Sequence, residues 1–441
     1  MPEATIIGTN LSCSIVSGAL SRAGFKVNHL DFGEYYGSQE FRMLSFEQLL
    51  LGNDPLFKSH FIQVKSSNQQ FTGIQESTRE VMEQITKKFN IPESSQEAFL
   101  ISHFLKIFNN RYQFDLLPKV VFSKGPLVNL IIKAGIGEGI LEFQLIKDVY
   151  FSQAGSKSIE RVPCSKEDVF VDQSIPLREK RLLMKFFKSC VEYTDQEMET
   201  TKSFTDYIHS FNLSKKYSSI ISSCLTFNLD PKSIKTLSAH HGIMKTKQYL
   251  NSIGRFGPGA LLTGIYGTGS ELCQSFCRYS AVFGGTMALG CKINSIKIDE
   301  SLQSLDTDLG EFKSDVLVIA GSALKPLTLT IESISRIPKK EFQVSHLVLI
   351  GFNPLLDSTS GHCLQIYPPN DDVFGIFGIQ YTSDTKMCPD GTCKSSGFPI
   401  KFVRSFAFME SLLYRRASKC MCLYLGEIYC INFILVKLFY L

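Results

Sequence analysis

Ala4-Thr-Ile-Ile-Gly-Thr-Asn-Leu-Ser-Cys13, continued by Ser14-Ile-Val-Ser-Gly-Ala-Leu-Ser-Arg-Ala23-Gly24 and Lys26-Val-Asn-His-Leu-Asp31, is the stretch whose reading decides the fold. Ala4 to Ile7 is a short apolar run that predicts a strand, and Gly8 to Ser12 reads as a tight turn. Cys13 to Ala23 predicts a helix ended by Gly24, because glycine enters the left-handed conformation of a helix stop without steric cost. Lys26 to Leu30 predicts the second strand. The result is a βαβ unit within the first thirty residues.

Asp31 stands at the end of the second strand, about 20 residues after the glycine turn, where dinucleotide-binding βαβ units place an acidic group for the ribose. The opening is therefore Rossmann-type by geometry. Its phosphate fingerprint is broken, because G-x-G-x-x-G reads Gly8-Thr9-Asn10-Leu11-Ser12-Cys13. Asn10 puts a side chain where backbone must approach a pyrophosphate, and Cys13 crowds the helix against the strand. A bound FAD is disfavoured on these grounds, and no cofactor is expected.

Further along, Arg111 to about Phe211 turns helical, as in Leu182, Leu183, Phe186, Phe187 and Cys190, which share one face. Short strands are expected at Cys291–Ile298, Val316–Ala320 and His346–Ile350. Ser66–Thr78 and Ser152–Ser158 are polar enough for loops. The expectation is an α/β (α+β) fold: a discontinuous Rossmann-type domain of the FAD/NAD(P)-binding kind from 1–115 and 220–441, with a smaller all-helical domain, 116–219, inserted. Cys420–Leu441 is apolar apart from Glu427 and Lys437; short buried strands or an altered tail suit it better than a membrane anchor.

Composition narrows the function. Lys plus Arg number 46 against 42 Asp plus Glu, and no block of like charge tracks a phosphate backbone, so nucleic acid is not an expected partner. The 13 cysteines are odd in number and lack a repeated C-x-x-C pair, and the N-terminus has no basic leader, which fits reduced thiols in the cytosol. Cys388 and Cys393 bracket a Pro-Asp-Gly turn with no second ligand pair, and His240-His241 has no spaced partner, so no metal is expected. Walker A, H-E-x-x-H and G-x-S-x-G motifs are absent, so no catalytic residue is assigned.

Tyr266-Gly-Thr-Gly-Ser-Glu-Leu-Cys-Gln-Ser-Phe-Cys-Arg-Tyr-Ser-Ala-Val-Phe-Gly-Gly-Thr286 carries the strongest signal. On a helix Glu271, Gln274 and Arg278 fall at i, i+3 and i+7 on one face, either as a patch that meets a partner or as a solvated stripe with an internal salt bridge.

Four segments resemble, in order, those of the GDP-dissociation inhibitor and Rab escort family: Gly8–Ser12, His29-Leu-Asp-Phe-Gly-Glu-Tyr-Tyr-Gly37, Phe114-Asp-Leu-Leu-Pro-Lys119 and Tyr266–Thr286. The Asp315–Gly321 run is similar to the returning strand of FAD-type folds. The resemblance implies a platform for a Rab GTPase on Tyr36, Glu271 and Arg278, with Gln274 on the same helix face and Thr286 at the matching threonine. Ala288 replaces the inhibitors' methionine, and Ser270 adds one residue to their glycine-turn spacing.

Val162-Pro-Cys-Ser-Lys-Glu-Asp-Val-Phe170 and Glu179-Lys-Arg-Leu-Leu-Met-Lys-Phe-Phe-Lys-Ser-Cys-Val-Glu-Tyr193 look like escort proteins rather than inhibitors. The resemblance implies a non-catalytic accessory subunit, cytosolic with transient membrane contact. Its partners would be GDP-bound Rab, the Rab geranylgeranyl transferase and the prenyl lipid. Phe186 is then either the transferase contact or a core residue of its helix. A recycling GDP-dissociation inhibitor and a flavin oxidoreductase of the same fold are the alternatives.

Overall fold

The computed structural model describes residues 1–37, 41–52, 58–66, 73–115, 118–137, 141–152, 159–163, 165–194, 203–298, 303–320, 323, 346–351, 356, 361–370, 374–399, 420–426 and 434–440. The chain opens with β1 (Glu3–Ile7), α1 (Leu11–Arg22) and β2 (Lys26–Leu30). Helix α1 starts two residues before the expected Cys13, because Asn10 is its N-cap and accepts from Cys13 N at 3.0 Å. Four of the five residues of β1 are buried, as a strand covered on both faces requires. It pairs in parallel with β2 on one side and with β15 (Val316–Ile319) on the other, Ile6 opposite both His29 and Val318. Strand β11 (Thr286–Ala288) adds to the far edge of β2, giving the order β11-β2-β1-β15. Ala4, Ile6, Ile7, Val27, Leu30 and Ala320 form the core of this layer.

Next come β3 (Met43–Leu44), α2 (Phe46–Leu51), β4 (Lys58–Ser66), α3 (Arg79–Phe89), α4 (Gln96–Phe108) and β5 (Phe114–Asp115). Strand β3 pairs with β5, tying the loop after β2 to the Phe114 segment. β6 (Val121–Phe122), α5 (Pro126–Ala134), β7 (Phe143–Ile146), β8 (Asp148–Phe151) and β9 (Glu160–Val162) follow. The helical lobe is α6 (Lys166–Val171), α7 (Leu177–Glu192), α8 (Phe204–His209), α9 (Lys215–Ile220), a π turn at Ile221–Leu225, α10 (Pro231–Thr236) and α11 (Ala239–Ser252). Then come β10 (Leu261–Gly264), α12 (Gly269–Val282), β11, the β12 (Ile293–Ile298), β13 (Gln303–Thr307) and β14 (Gly310–Ser314) meander, and β15.

The 116–219 segment is not all helical. β7 pairs with β10, and β8 pairs in parallel with β17 (Cys363–Tyr367), so its apolar runs find strand partners far away in sequence. Apart from α5, its helices begin with the capping box of Ser165 and Asp168, and the helical lobe runs past position 219 to Ser252. The expected loops Ser66–Thr78 and Ser152–Ser158 lie partly outside the described residues.

The larger sheet is built on β16 (His346–Gly351), β17, β18 (Ile376–Thr382) and β19 (Cys393–Pro399), with β8 and β9 at one end. Within the apolar run that begins at Cys420, β20 (Cys420–Gly426) and β21 (Ile434–Tyr440) are strands paired with β4 and β16. Among the described residues no helix is long and apolar enough to cross a membrane.

Candidate functional site

The glycine turn is held from within the chain. Gly8 has φ +96° and donates to Leu30 O at 2.7 Å, a conformation that costs glycine nothing. Thr9 donates to Asp31 Oδ2 from both its backbone N and its Oγ1, each at 2.6 Å. Gly33 N donates to Asp31 Oδ1 at 2.9 Å, and Gly37 N donates to Thr9 Oγ1 at 3.0 Å. The loop after β2 thus folds back onto the turn. His29 is buried beneath it with Nε2 2.9 Å from Gly8 O, and burial lowers its pKa below the ordinary histidine value.

This arrangement does not fit a dinucleotide. The Asp31 carboxylate that a ribose would need is engaged by Thr9 and Gly33, and the Thr9 hydroxyl also accepts from Gly37 N. Asn10 is occupied as the cap of α1.

Helix α12 packs on α1 through small residues. Ser280 Oγ lies 2.8 Å from Ser17 Oγ and 2.7 Å from Ser21 Oγ, and Cys277 Sγ is 3.3 Å from Ser14 Oγ. A Cβ at Gly18 would begin 3.0 Å from the Tyr279 ring, so even alanine there would press on that ring. At the other end of α12, a Cβ on Gly269 would lie 2.4 Å from the Phe41 ring. The first turn of α12 therefore sits against the loop after β2.

The expected platform residues lie on α12, on the loop after β2 and on edge strand β11. Glu271 lies in the first turn of α12, half-buried, and burial pushes its carboxyl above the ordinary range. Gln274 is exposed and donates from Nε2 to Ser270 Oγ at 2.9 Å. Arg278 is exposed on the same face. Seven residues separate Glu271 from Arg278, about 10 Å of helix rise, too far for an internal salt bridge. Tyr36 is partly buried, and its hydroxyl pKa is raised by burial first and by nearby Cys277 second. Thr286 is exposed at the start of edge strand β11, opposite Asn28. Gly290 N to Gly33 O and Cys291 N to Asp31 O, both 2.9 Å, bind the segment after β11 to the loop that carries Tyr36.

Phe186 requires a correction as a contact residue. Its ring is 0% exposed and packs against Phe187, Phe204, Tyr207 and Phe211, so it is core. Among the described residues of that lobe, the most exposed large apolar side chains are Phe170, Val171 and Leu177, at 63%, 77% and 65%, followed by Met244. Phe170 closes the Val162–Phe170 segment, a signal available in the sequence.

The other polar candidates are committed locally. Cys388 is buried, with its thiol 3.7 Å from Tyr381 O and 3.6 Å from Thr392 O; the side chain of Cys393 lies outside the described residues. His240 Nδ1 meets Tyr193 OH at 3.0 Å, and His241 lies in the first turn of α11 with Nδ1 2.8 Å from the capping Ser238 Oγ.

Comparison with known proteins follows the same line. Residues 65–374 match the family described as GDP dissociation inhibitor. The Rab proteins geranylgeranyltransferase component A of Drosophila melanogaster is 28% identical over 396 residues, covering 88% of this chain and 72% of that protein. Rab escort protein 1 of Arabidopsis thaliana is 32% identical over 326 residues, covering 67% of this chain and 60% of that protein. For component A 1 of Homo sapiens the figures are 28% over 292 residues, 64% and 43%, so the chain spans less than half of that relative. Among solved structures, the Rab GDI of Plasmodium falciparum superposes with TM-score 0.67 at 18% identity, covering 99% of this chain and 93% of that one. An oxidoreductase from Methanosarcina mazei does so with TM-score 0.51 at 12% identity, over 93% and 82%. The mixed α/β fold with its Rossmann-like parallel sheet is shared with both of these structures. With more than half its length matched by one family model, on a turn that does not fit the dinucleotide, the chain belongs to the GDP dissociation inhibitor family.

Proposed function

We propose that this protein is a Rab escort protein: it binds a Rab GTPase in its GDP state, presents the GTPase's C-terminal cysteines to Rab geranylgeranyl transferase, and delivers the lipidated product to a membrane. It performs no catalysis itself. The observation that supports the reading is the placement of Glu271, Gln274 and Arg278 on one helix, α12, followed by Thr286 on edge strand β11, in a family whose relatives are named as component A of the transferase. Tyr and Arg are the side chains most often found at the energetic centre of a protein interface. A platform that meets the GTPase switch region would distinguish GDP from GTP, because the order of that region depends on the γ-phosphate.

The body built from 1–115 and 220–441 would hold the folded GTPase, and the lobe that begins in 116–219 would take the lipid and the transferase. Shielding a prenyl chain there offsets about 0.8 kcal/mol per CH₂ of exposure to water. Phe170, Val171 and Leu177 supply the apolar surface for the transferase that buried Phe186 does not. The protein would work in the cytosol, with transient membrane contact at delivery.

A reconstituted assay with GDP-loaded Rab, transferase and labelled lipid donor tests the reading. Lipid transfer that depends on this protein is expected. Extraction of prenylated Rab from membranes without support of transfer would move the function to a recycling inhibitor.

A further inference from the structure

The exposed residues of α12 are Gln274, Arg278, Ala281 and Val282, which fall within one arc of the helix about 100° wide. Val282 stands one turn beyond Arg278 and is 71% exposed. Phe283, which caps the helix, is 44% exposed. Its ring meets that of Tyr279 edge-on, 4.9 Å between centroids, and Tyr279 OH accepts from Arg22 Nη1 at 2.8 Å, so Phe283 rests against a fixed neighbour. The path onward is equally defined. Gly284 N donates to Ala281 O at 3.0 Å and Gly285 N to Ser280 O at 2.9 Å, and a Cβ on Gly285 would lie 2.3 Å from Ser280 Oγ. Thr286 then opens β11, four residues after Val282, as Arg278 is four before it.

Folding does not call for valine at this position. A β-branched side chain is a poorer helix former than alanine, and one so far into water gains little from packing. Single exposed apolar residues are ordinary on a protein surface, but this one adjoins a second, Phe283, and stands between two positions of the platform.

We propose that Val282 and Phe283 are an apolar contact of the platform, between Arg278 and Thr286, and dock against an apolar patch on the surface of the GTPase. The proposal rests on the GTPase-binding reading above. A partner surface that reaches both Arg278 and Thr286 passes over Val282, so the same partner covers it. Interfaces bury apolar side chains at their centre and keep charged ones toward the rim. Val282 would act by leaving water, an effect that salt does not screen, whereas Arg278 would act through its charge and hydrogen bonds.

The test titrates GDP-loaded Rab against the full chain and its Val282→Ala, Val282→Thr, Val282→Asp and Phe283→Ala variants at two ionic strengths. Arg278→Ala is the platform control, and thermal unfolding checks that each variant folds. Val282→Ala is expected to weaken binding roughly three- to tenfold. Val282→Thr, which keeps the shape but replaces a methyl by a hydroxyl, should lose about as much, and Val282→Asp and Phe283→Ala at least about tenfold. The losses should appear in the dissociation rate and be alike at both ionic strengths, while Val282→Ala melts no lower than the wild type, a combination that a structural role would not give. Wild-type affinity in the three Val282 variants, beside a weakened Arg278→Ala, would overturn the inference and leave the platform standing. Unchanged affinity in every variant, Arg278→Ala included, would overturn both the inference and α12 as the docking helix. A wild-type chain that binds no Rab would overturn the GTPase-binding reading itself, and this inference with it.

Discussion

Thr9 and Asp31 are joined twice, the backbone N and the Oγ1 of Thr9 both lying 2.6 Å from the same carboxylate oxygen. Because Gly33 uses the other oxygen and Gly37 binds Thr9, this one acidic side chain holds the turn after β1 and the loop that presents Tyr36. An acidic residue placed where a ribose would be read serves here as a structural clasp.

Replacing Asp31 by Ala should therefore destabilise the protein by about 3 kcal/mol, the scale for losing buried hydrogen bonds to a charged group. It should also weaken Rab binding by releasing Tyr36. Urea unfolding together with a Rab titration checks both effects; a large loss of binding with no loss of stability would contradict the clasp.

Arg278 is exposed on α12, so Arg278→Ala should leave the melting temperature within a degree or two while costing at least about tenfold in Rab affinity. Calorimetric titration with GDP-loaded Rab measures the loss. Unchanged affinity would remove Arg278 from the platform.

Phe186 and Phe170 should separate stability from contact. Phe186→Ala empties a fully buried aromatic site and should cost about 3–5 kcal/mol in denaturant unfolding. Phe170→Ala, at an exposed position, should change stability by less than about 0.5 kcal/mol yet lower lipid transfer in the reconstituted assay. The reverse pattern would restore Phe186 as the contact.

Lys394 is buried, with its ammonium 5.0 Å from the Phe114 ring and 4.8 Å from the Tyr381 ring, and it donates to Gln113 O. Burial lowers its pKa from 10.5 to about 8, against smaller raising effects of Cys388 and Asp115. Between those values the unfolded chain binds a proton that the folded chain has released, so stability should rise with pH from about 8 to 10.5. The gain is of order 3 kcal/mol across this window, and as pH falls it is lost between about 10.5 and 8. Unfolding in urea across this range should show the rise in the wild type, and Lys394→Met should remove that part of the pH dependence.

The opening βαβ unit was legible because its signals are local: an apolar run, a glycine turn, a helix stop and a second apolar run within thirty residues. The broken fingerprint at Asn10 and Cys13 was equally local. The shared face of Glu271, Gln274 and Arg278 followed from helical spacing alone. Tertiary structure decided the rest. Phe186 and Phe170 are both aromatic residues in helical segments, and only packing buries one against Phe204 and Phe211 and leaves the other in water. The strands at β7 and β8 lay in a segment that reads as helical, because their partners, β10 and β17, come from far along the chain. Tyr36 and Thr286 lie 250 positions apart, and residue pattern alone carries no distance between them. The parallel pairing of β11 with β2 and the bonds from Gly290 and Cys291 join the segment that follows Thr286 to the loop that carries Tyr36, since strand register is a property of the folded sheet and not of either segment alone.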